Sequence, residues 1–143
     1  MGATSLHFTD AELACHHCHV NGCQQAIVDA LEQFRATIGM GRPVIVNSAY
    51  RCSIYNAEIG GVPDSEHVQG IAADITVEGM TGGQLEVIAK QCSLITAIGR
   101  SDSTPYVHVD TRKISQGRVL WAYNDQGKWV HYFPPPTDAP VEA

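Results

Sequence analysis

Ile27, Leu31, Phe34 and Ile38 recur at i, i+4, i+7 and i+11, which places them on one face of a helix running from about Gln24 to Ile38. Gly39 follows directly and is a natural C-terminal stop. A helix with one apolar stripe must bury it against another layer, and the rest of the chain supplies mostly short β-rich runs. Pro43 introduces Val44-Ile45-Val46, a β-branched run that reads as a buried strand ending near Tyr50. Ala72–Val77 reads as a second strand, Ala97-Ile98-Gly99 as a short one and Tyr106–Thr111 as a clearer one. Arg118–Tyr123 and Lys128–Phe133, joined by Asn124-Asp125-Gln126-Gly127, read as a β-hairpin.

Two shorter helices are signalled by their caps. Thr9 with Glu12 forms a capping-box pattern, with Phe8 and Leu13 placed as the hydrophobic staple, so a helix begins near residue 10. Thr81 with Gln84 repeats the pattern and opens a helix whose Leu85, Ile88 and Cys92 share a face. Residues 51–70, punctuated by Gly60, Gly61, Pro63 and Gly70, read as mostly loop with one helical turn around Ile54–Glu58. A loop of that length inside a small domain is often a functional one. The sum is an α+β domain over residues 1–133, with helices early and a mainly antiparallel sheet dominating the second half. A Pro-rich tail, 134–143, reads as extended or disordered.

At 143 residues the chain is long enough for one core and too short for two. The formal net charge of -6 argues against a nucleic-acid partner, which would demand a basic stripe, and gives no attraction to an anionic membrane. No run approaches the roughly 18 apolar residues of a membrane span. Met1-Gly2-Ala3-Thr4-Ser5 lacks a basic n-region and an apolar h-region, so the expectation is a cytoplasmic protein as written. A small polar or peptidic substrate fits this profile best; the oligomeric state is left open.

Three side chains offer a metal shell. His67 lies in the glycine-punctuated loop, Asp74 in the strand that follows and His108 in the middle of a separate strand. Two imidazoles and one carboxylate make up a catalytic zinc shell with a fourth position open. Adjacent antiparallel strands would bring Asp74 and His108 to one face, about 5 Å apart between Cβ atoms when directly opposite.

The residues around them carry a resemblance. Ser65-Glu66-His67-Val68-Gln69-Gly70-Ile71-Ala72-Ala73-Asp74 resembles the SxHxxGxAxD signature of the zinc D-alanyl-D-alanine carboxypeptidases and phage endolysin peptidases. These fall in a wider group with lysostaphin-type enzymes and the hedgehog signalling domain. Asn47-Ser48-Ala49-Tyr50-Arg51-Cys52 is similar to the family's SGYR segment, and Asn56 through Ser65 follow its N-x-x-x-G-G-x-x-x-S pattern. Tyr106-Val107-His108-Val109-Asp110 resembles the metal-binding strand of its HVD-bearing branch, so the likeness covers roughly residues 8–112.

The resemblance implies that His67, Asp74 and His108 are zinc ligands in a peptidase acting on peptidoglycan stem peptides, as a D,D-carboxypeptidase or an endolysin-type endopeptidase. Release to the cell wall from a phage would then reconcile that substrate with the absent signal. Arg51 matches the substrate-site arginine, suited to a substrate carboxylate or an oxyanion. Ser65 would fix the loop or contact the substrate backbone. Many members place an acid three positions before the last histidine, where this chain has Pro105. Asp110 is the best substitute: period-2 alternation puts it on the face of His108, as the general base or as a partner orienting the ring. Glu66 and Asp102 are weaker candidates. Pro105 also sustains a rival expectation, a metal-binding module that has lost catalysis and only recognises peptide or protein.

Five cysteines form an odd set. Cys15, Cys18 and Cys23, amid three histidines, could build a second, structural zinc site; a disulfide involving Cys52 and plain reduced thiols are equal alternatives. Cys92, on an apolar helix face, reads as a small core residue. Trp121 and Trp129, on the two hairpin strands, read as closing the core in preference to lining a groove.

Overall fold

The computed structural model describes residues 2–61, 63–101, 104–115, 117–123 and 129–133, for Tyr123 and 129–133 as backbone alone. The elements run α1 (Asp10–Leu13), α2 (Gln25–Ile38), β1 (Ile45–Ser48), α3 (Ser53–Glu58), α4 (Glu66–Gln69), β2 (Ala72–Thr76), α5 (Gly82–Lys90), β3 (Ala97–Ser101), β4 (Tyr106–Asp110), β5 (Val119–Tyr123) and β6 (Trp129–Phe133). The expected connection Asn124–Gly127, Lys128 and the Pro-rich tail lie outside the described residues.

The α+β expectation holds. The strands form one sheet in the order β1-β2-β4-β3-β5-β6, and every described pairing is antiparallel except β3 with β5. Both capping boxes close: the Thr9 and Thr81 hydroxyls accept from Glu12 and Gln84 backbone N–H groups, and those side chains accept in return. Phe8 and Leu13, the expected staple, are both buried.

Alternation divides the sheet into two unlike faces. Ala73, Ile75, Ile98, Val107 and Val109 point to one side, where Ile27, Leu31 and Phe34 of α2 and Leu85 and Ala89 of α5 complete the main core. The intervening residues, Asp74, His108, Gly99 and Trp121, lie directly opposite one another along a single row across β2, β4, β3 and β5. That row is the floor of the candidate site. Gly99 is its gap: a Cβ there would overlap the Trp121 indole, so only glycine lets the ring lie across β3 and approach His108 at 5.2 Å between ring centroids.

Two expectations are corrected. The Val44–Tyr50 run is an edge strand and not a buried one: β1 ends the strand order, with β2 its one strand neighbour among the described residues, and Ile45 is 50% exposed. The 51–70 segment is more helical than its glycines suggest. α3 begins at a Cys52 cap, and α4 is a single turn capped by Ser65 and ended by Gly70 in the left-handed conformation (φ 74°). Gly70 also packs so closely on the Gly22 carbonyl that a Cβ could not fit.

Candidate metal centre

α4 brings His67 over the sheet. Ser65 Oγ accepts from the His67 N–H at 3.2 Å, fixing the turn, and the His67 ring then reaches the Ala49 carbonyl with Nδ1 at 2.7 Å. That bond makes Nδ1 the donor and turns Nε2, as an acceptor, toward Asp74. Nε2 is buried and makes no hydrogen bond, lying 3.4 Å from Asp74 Oδ1. His108 Nδ1 comes to the same carboxylate oxygen at 3.1 Å. All three residues are buried, and their ligand atoms lie within 4.8 Å of one another.

This donor set fits zinc. Tetrahedral bonds of about 2.0–2.1 Å to nitrogen and oxygen place neighbouring donors about 3.3 Å apart. The spacings at Asp74 are 3.1 and 3.4 Å. An unpartnered lone pair aimed at two further donors is otherwise a costly thing to bury.

The surrounding charges keep Asp74 ionised. Burial opposes ionisation of Asp74, but His67 and His108 outweigh it and hold the carboxyl well below the usual carboxylate range. Arg51 is 2% exposed and fixed from three sides: its Nε donates to Ser48 Oγ at 3.2 Å and Nη1 to Asn56 Oδ1 at 3.3 Å, and Nη2 lies 3.5 Å from Asp74 Oδ2. Beside Asp74 opens a cavity of about 570 Å³ lined by Asn47, Asp74, Thr76, Thr104, Pro105 and Tyr106.

The expected alternation puts Asp110 on the face of His108, but its carboxylate turns away from the metal ligands. Oδ2 meets His108 Nε2 at 2.7 Å, the ring nitrogen opposite the one facing Asp74. Arg112 completes the enclosure, donating to Oδ1 from its backbone N–H (3.1 Å) and Nε (2.9 Å) and to Oδ2 from Nη2 (2.7 Å). This placement suits orienting the ring and does not suit a base facing the cavity. Ser65 is fully buried and holds the loop through the His67 N–H. Glu66 faces Arg112 at 3.5 Å, and Asp102 lies outside the described residues.

Two contributors were not anticipated. Arg112 extends the alternation His108-x-Asp110-x-Arg112, a signal present in the sequence. Trp121 is fully buried, but on the site face and apart from the main core it was expected to close: it packs against His108 and takes the Arg112 guanidinium over its ring at 5.3 Å. The side chain of Trp129 lies outside the described residues.

Burial alone would lower the His108 pKa, but its bonds to Asp110 and Asp74 raise it to about 9. The metal-free centre therefore stores a proton on His108 at neutral pH. Its stabilising contribution is complete below the unfolded imidazole value near 6.5 and is lost as pH rises through about 9. Metal must displace that proton, so apparent zinc affinity should climb from pH 6 until it levels near 9. Chelator competition across that range measures it; an affinity flat between pH 6 and 8 would contradict the protonated state.

The Cys/His segment departs from expectation in one member. Cys23 is buried in the core, its Sγ toward the Leu13 carbonyl, and burial pushes its thiol up to about 11. Cys52 takes its place: Cys15, Cys18 and Cys52 have their sulfurs within 4.8 Å of one another. All five cysteines are free thiols, and Cys92 sits in the core as expected.

Comparison with known proteins agrees with the geometry. A search of curated proteins found no match. The model of one family, Peptidase M15, matches residues 6–110, the span from α1 through β4 that holds all three ligand candidates. The chain belongs to the Peptidase M15 family of zinc-dependent peptidases.

Proposed function

We propose that the protein hydrolyses peptide bonds of peptidoglycan stem peptides, removing terminal D-alanine or cleaving within the stem in the manner of endolysin peptidases. The observation that carries this reading is Arg51, a buried cation locked 3.5 Å from a metal-ligand carboxylate beside an open cavity. His67 Nε2, Asp74 and His108 Nδ1 would hold zinc, which supplies Lewis acidity for polarising a carbonyl and activating water near neutral pH.

The chain's own residues then do the positioning. Ala49 and Ser65 fix His67, while Asp110 and Arg112 fix His108, so neither imidazole needs to reorganise. Arg51 holds Asp74 through Oδ2, and its guanidinium would meet the C-terminal carboxylate of a substrate, or negative charge developing on the scissile carbonyl. A free carboxylate end selects an exopeptidase; an internal bond uses only the second role. Turnover compared on a D-Ala-D-Ala-ended peptide and on its C-terminal amide separates the two.

Asp110 acts in this scheme as the group that orients His108. Asp110→Asn should therefore lower activity or zinc affinity by about 10–100-fold while leaving the shape of the pH–rate profile intact. A larger loss accompanied by disappearance of the acidic limb would instead make Asp110 the base.

The second reading, a module that binds metal and recognises peptide without cleaving it, draws on Pro105, which lines the cavity where many relatives place an acid. Zinc-loaded protein incubated with D-Ala-D-Ala-ended peptides and with purified peptidoglycan decides between them. Absence of turnover on every cell-wall peptide, with binding retained, would establish the module.

A further inference from the structure

We propose that Cys15, Cys18 and Cys52, with His17 as the fourth donor, bind a second zinc ion that is structural and independent of the hydrolytic centre. The three sulfurs lie within 4.8 Å of one another, and His17 Nδ1 stands 3.7 Å from Cys52 Sγ. A tetrahedral ion with Zn–S bonds of about 2.3 Å and Zn–N of about 2.0 Å sets sulfurs about 3.8 Å apart and sulfur and nitrogen about 3.5 Å apart. The three sulfurs are therefore grouped as a metal would need them, and His17, placed beside Cys52, would complete the shell by a swing of its ring toward Cys15 and Cys18.

The backbone is arranged for thiolates. His17 and Cys52 N–H groups both donate to Cys15 Sγ at 3.4 Å, and Tyr55 N–H donates to Cys52 Sγ at 3.4 Å. Amide donors aimed at sulfur favour the charged form and serve as the outer shell of a thiolate site. The tight turn that presents Cys15 and Cys18 is closed by Cys15 N–H to the Val20 carbonyl and His19 N–H to the Cys15 carbonyl, both 2.9 Å. The His17 ring lies nearly parallel to Tyr55, with an interplanar angle of 4°, which keeps it beside Cys52.

A disulfide explains less. It would join two sulfurs and leave the third, whereas all three converge and two of them receive amide donors. Cys18 is exposed and Cys52 half-exposed, so an ion can enter. Three thiolates and a neutral imidazole around Zn²⁺ carry a net charge of about -1, and binding releases the protons of those thiols that are not already ionised.

The position of Cys52 gives the site a purpose. It follows Arg51 directly and caps α3, whose Asn56 holds the Arg51 guanidinium. Metal at this point would tie the residue 15–18 turn to the segment that delivers Arg51 to Asp74, fixing the hydrolytic site from outside it.

The test is elemental analysis of the full chain purified under reducing conditions, with cobalt substitution beside it. Wild type should hold two zinc equivalents, and His67→Ala and Cys52→Ser one each. Cobalt-loaded His67→Ala should keep the intense near-ultraviolet sulfur-to-cobalt band, and His17→Ala should keep that band with altered visible transitions. Should Cys52→Ser fail to fold, the stoichiometry and band of wild type and His67→Ala decide alone. One zinc equivalent in wild type with no sulfur-to-cobalt band, the thiols reacting freely or joined as a disulfide, overturns the second site. Loss of hydrolysis with both zinc equivalents present would tell against the peptidase reading and leave this one standing.

Discussion

His67→Ala is expected to abolish hydrolysis, lowering kcat/KM by roughly three orders of magnitude or more, the equivalent of several kcal/mol of lost charge stabilisation. The reason is geometric. His67 Nε2 is buried without a hydrogen-bond partner, and both its spacing to Asp74 and the Ala49 bond on its other nitrogen suit it to a metal. Alanine removes a ligand and leaves Asp74 facing one imidazole instead of two. Asp74→Asn should fail similarly, since it removes the carboxylate that both imidazoles face. Activity measured together with zinc content checks the assignment; a His67→Ala protein that still turns over peptide at near wild-type rates would show that the centre is not the hydrolytic one.

Trp121→Ala is expected to cost about 3–5 kcal/mol of stability, the range for truncating a fully buried large aromatic. At about 3 °C per kcal/mol for a domain of this size, the melting temperature should fall by roughly 10–15 °C. The ring fills the gap that Gly99 leaves and touches both His108 and the Arg112 that pins Asp110. The loss should therefore also appear as weaker zinc binding. Gly99→Val attacks the same contact from the other side, because its side chain would occupy the space of the indole. Thermal unfolding with and without zinc measures both effects. A Trp121→Ala protein that melts within a degree or two of wild type would mean the indole is not a packing element.

Much of this was legible in the residues. Period-2 runs located β2 and β4, and alternation within them put Asp74, His108 and Asp110 on shared faces. Capping boxes at Thr9 and Thr81 marked two helix starts, since a cap is a local interaction written within four residues. What escaped depends on distance in the chain or on rotation of a side chain. α4 is a single turn, too short for a 3.6-residue repeat to show, so His67 reads as a loop residue. Asp110 reads equally well as base or as orienting partner, because sequence does not say which nitrogen of His108 faces the ligands. Cys23 lies close to Cys18 in sequence and reads as the natural third thiol, yet the chain path carries Cys52 to the cluster and sends Cys23 into the core. The edge position of β1 follows from strand order, which no local pattern encodes.

The unlike faces of the sheet make residue parity a functional boundary. In β2 and β4 the even-numbered residues 74, 108 and 110 form the candidate metal centre and its support, and the odd-numbered 73, 75, 107 and 109 line the main core. Deleting or inserting one residue within β4 would exchange the two sets, driving His108 and Asp110 into a hydrocarbon layer and Val107 and Val109 into the metal site. The strand is thus far less tolerant of a one-residue length change than of most substitutions. Variation in length among proteins built on this plan should accumulate in the connections and leave the strands at fixed count.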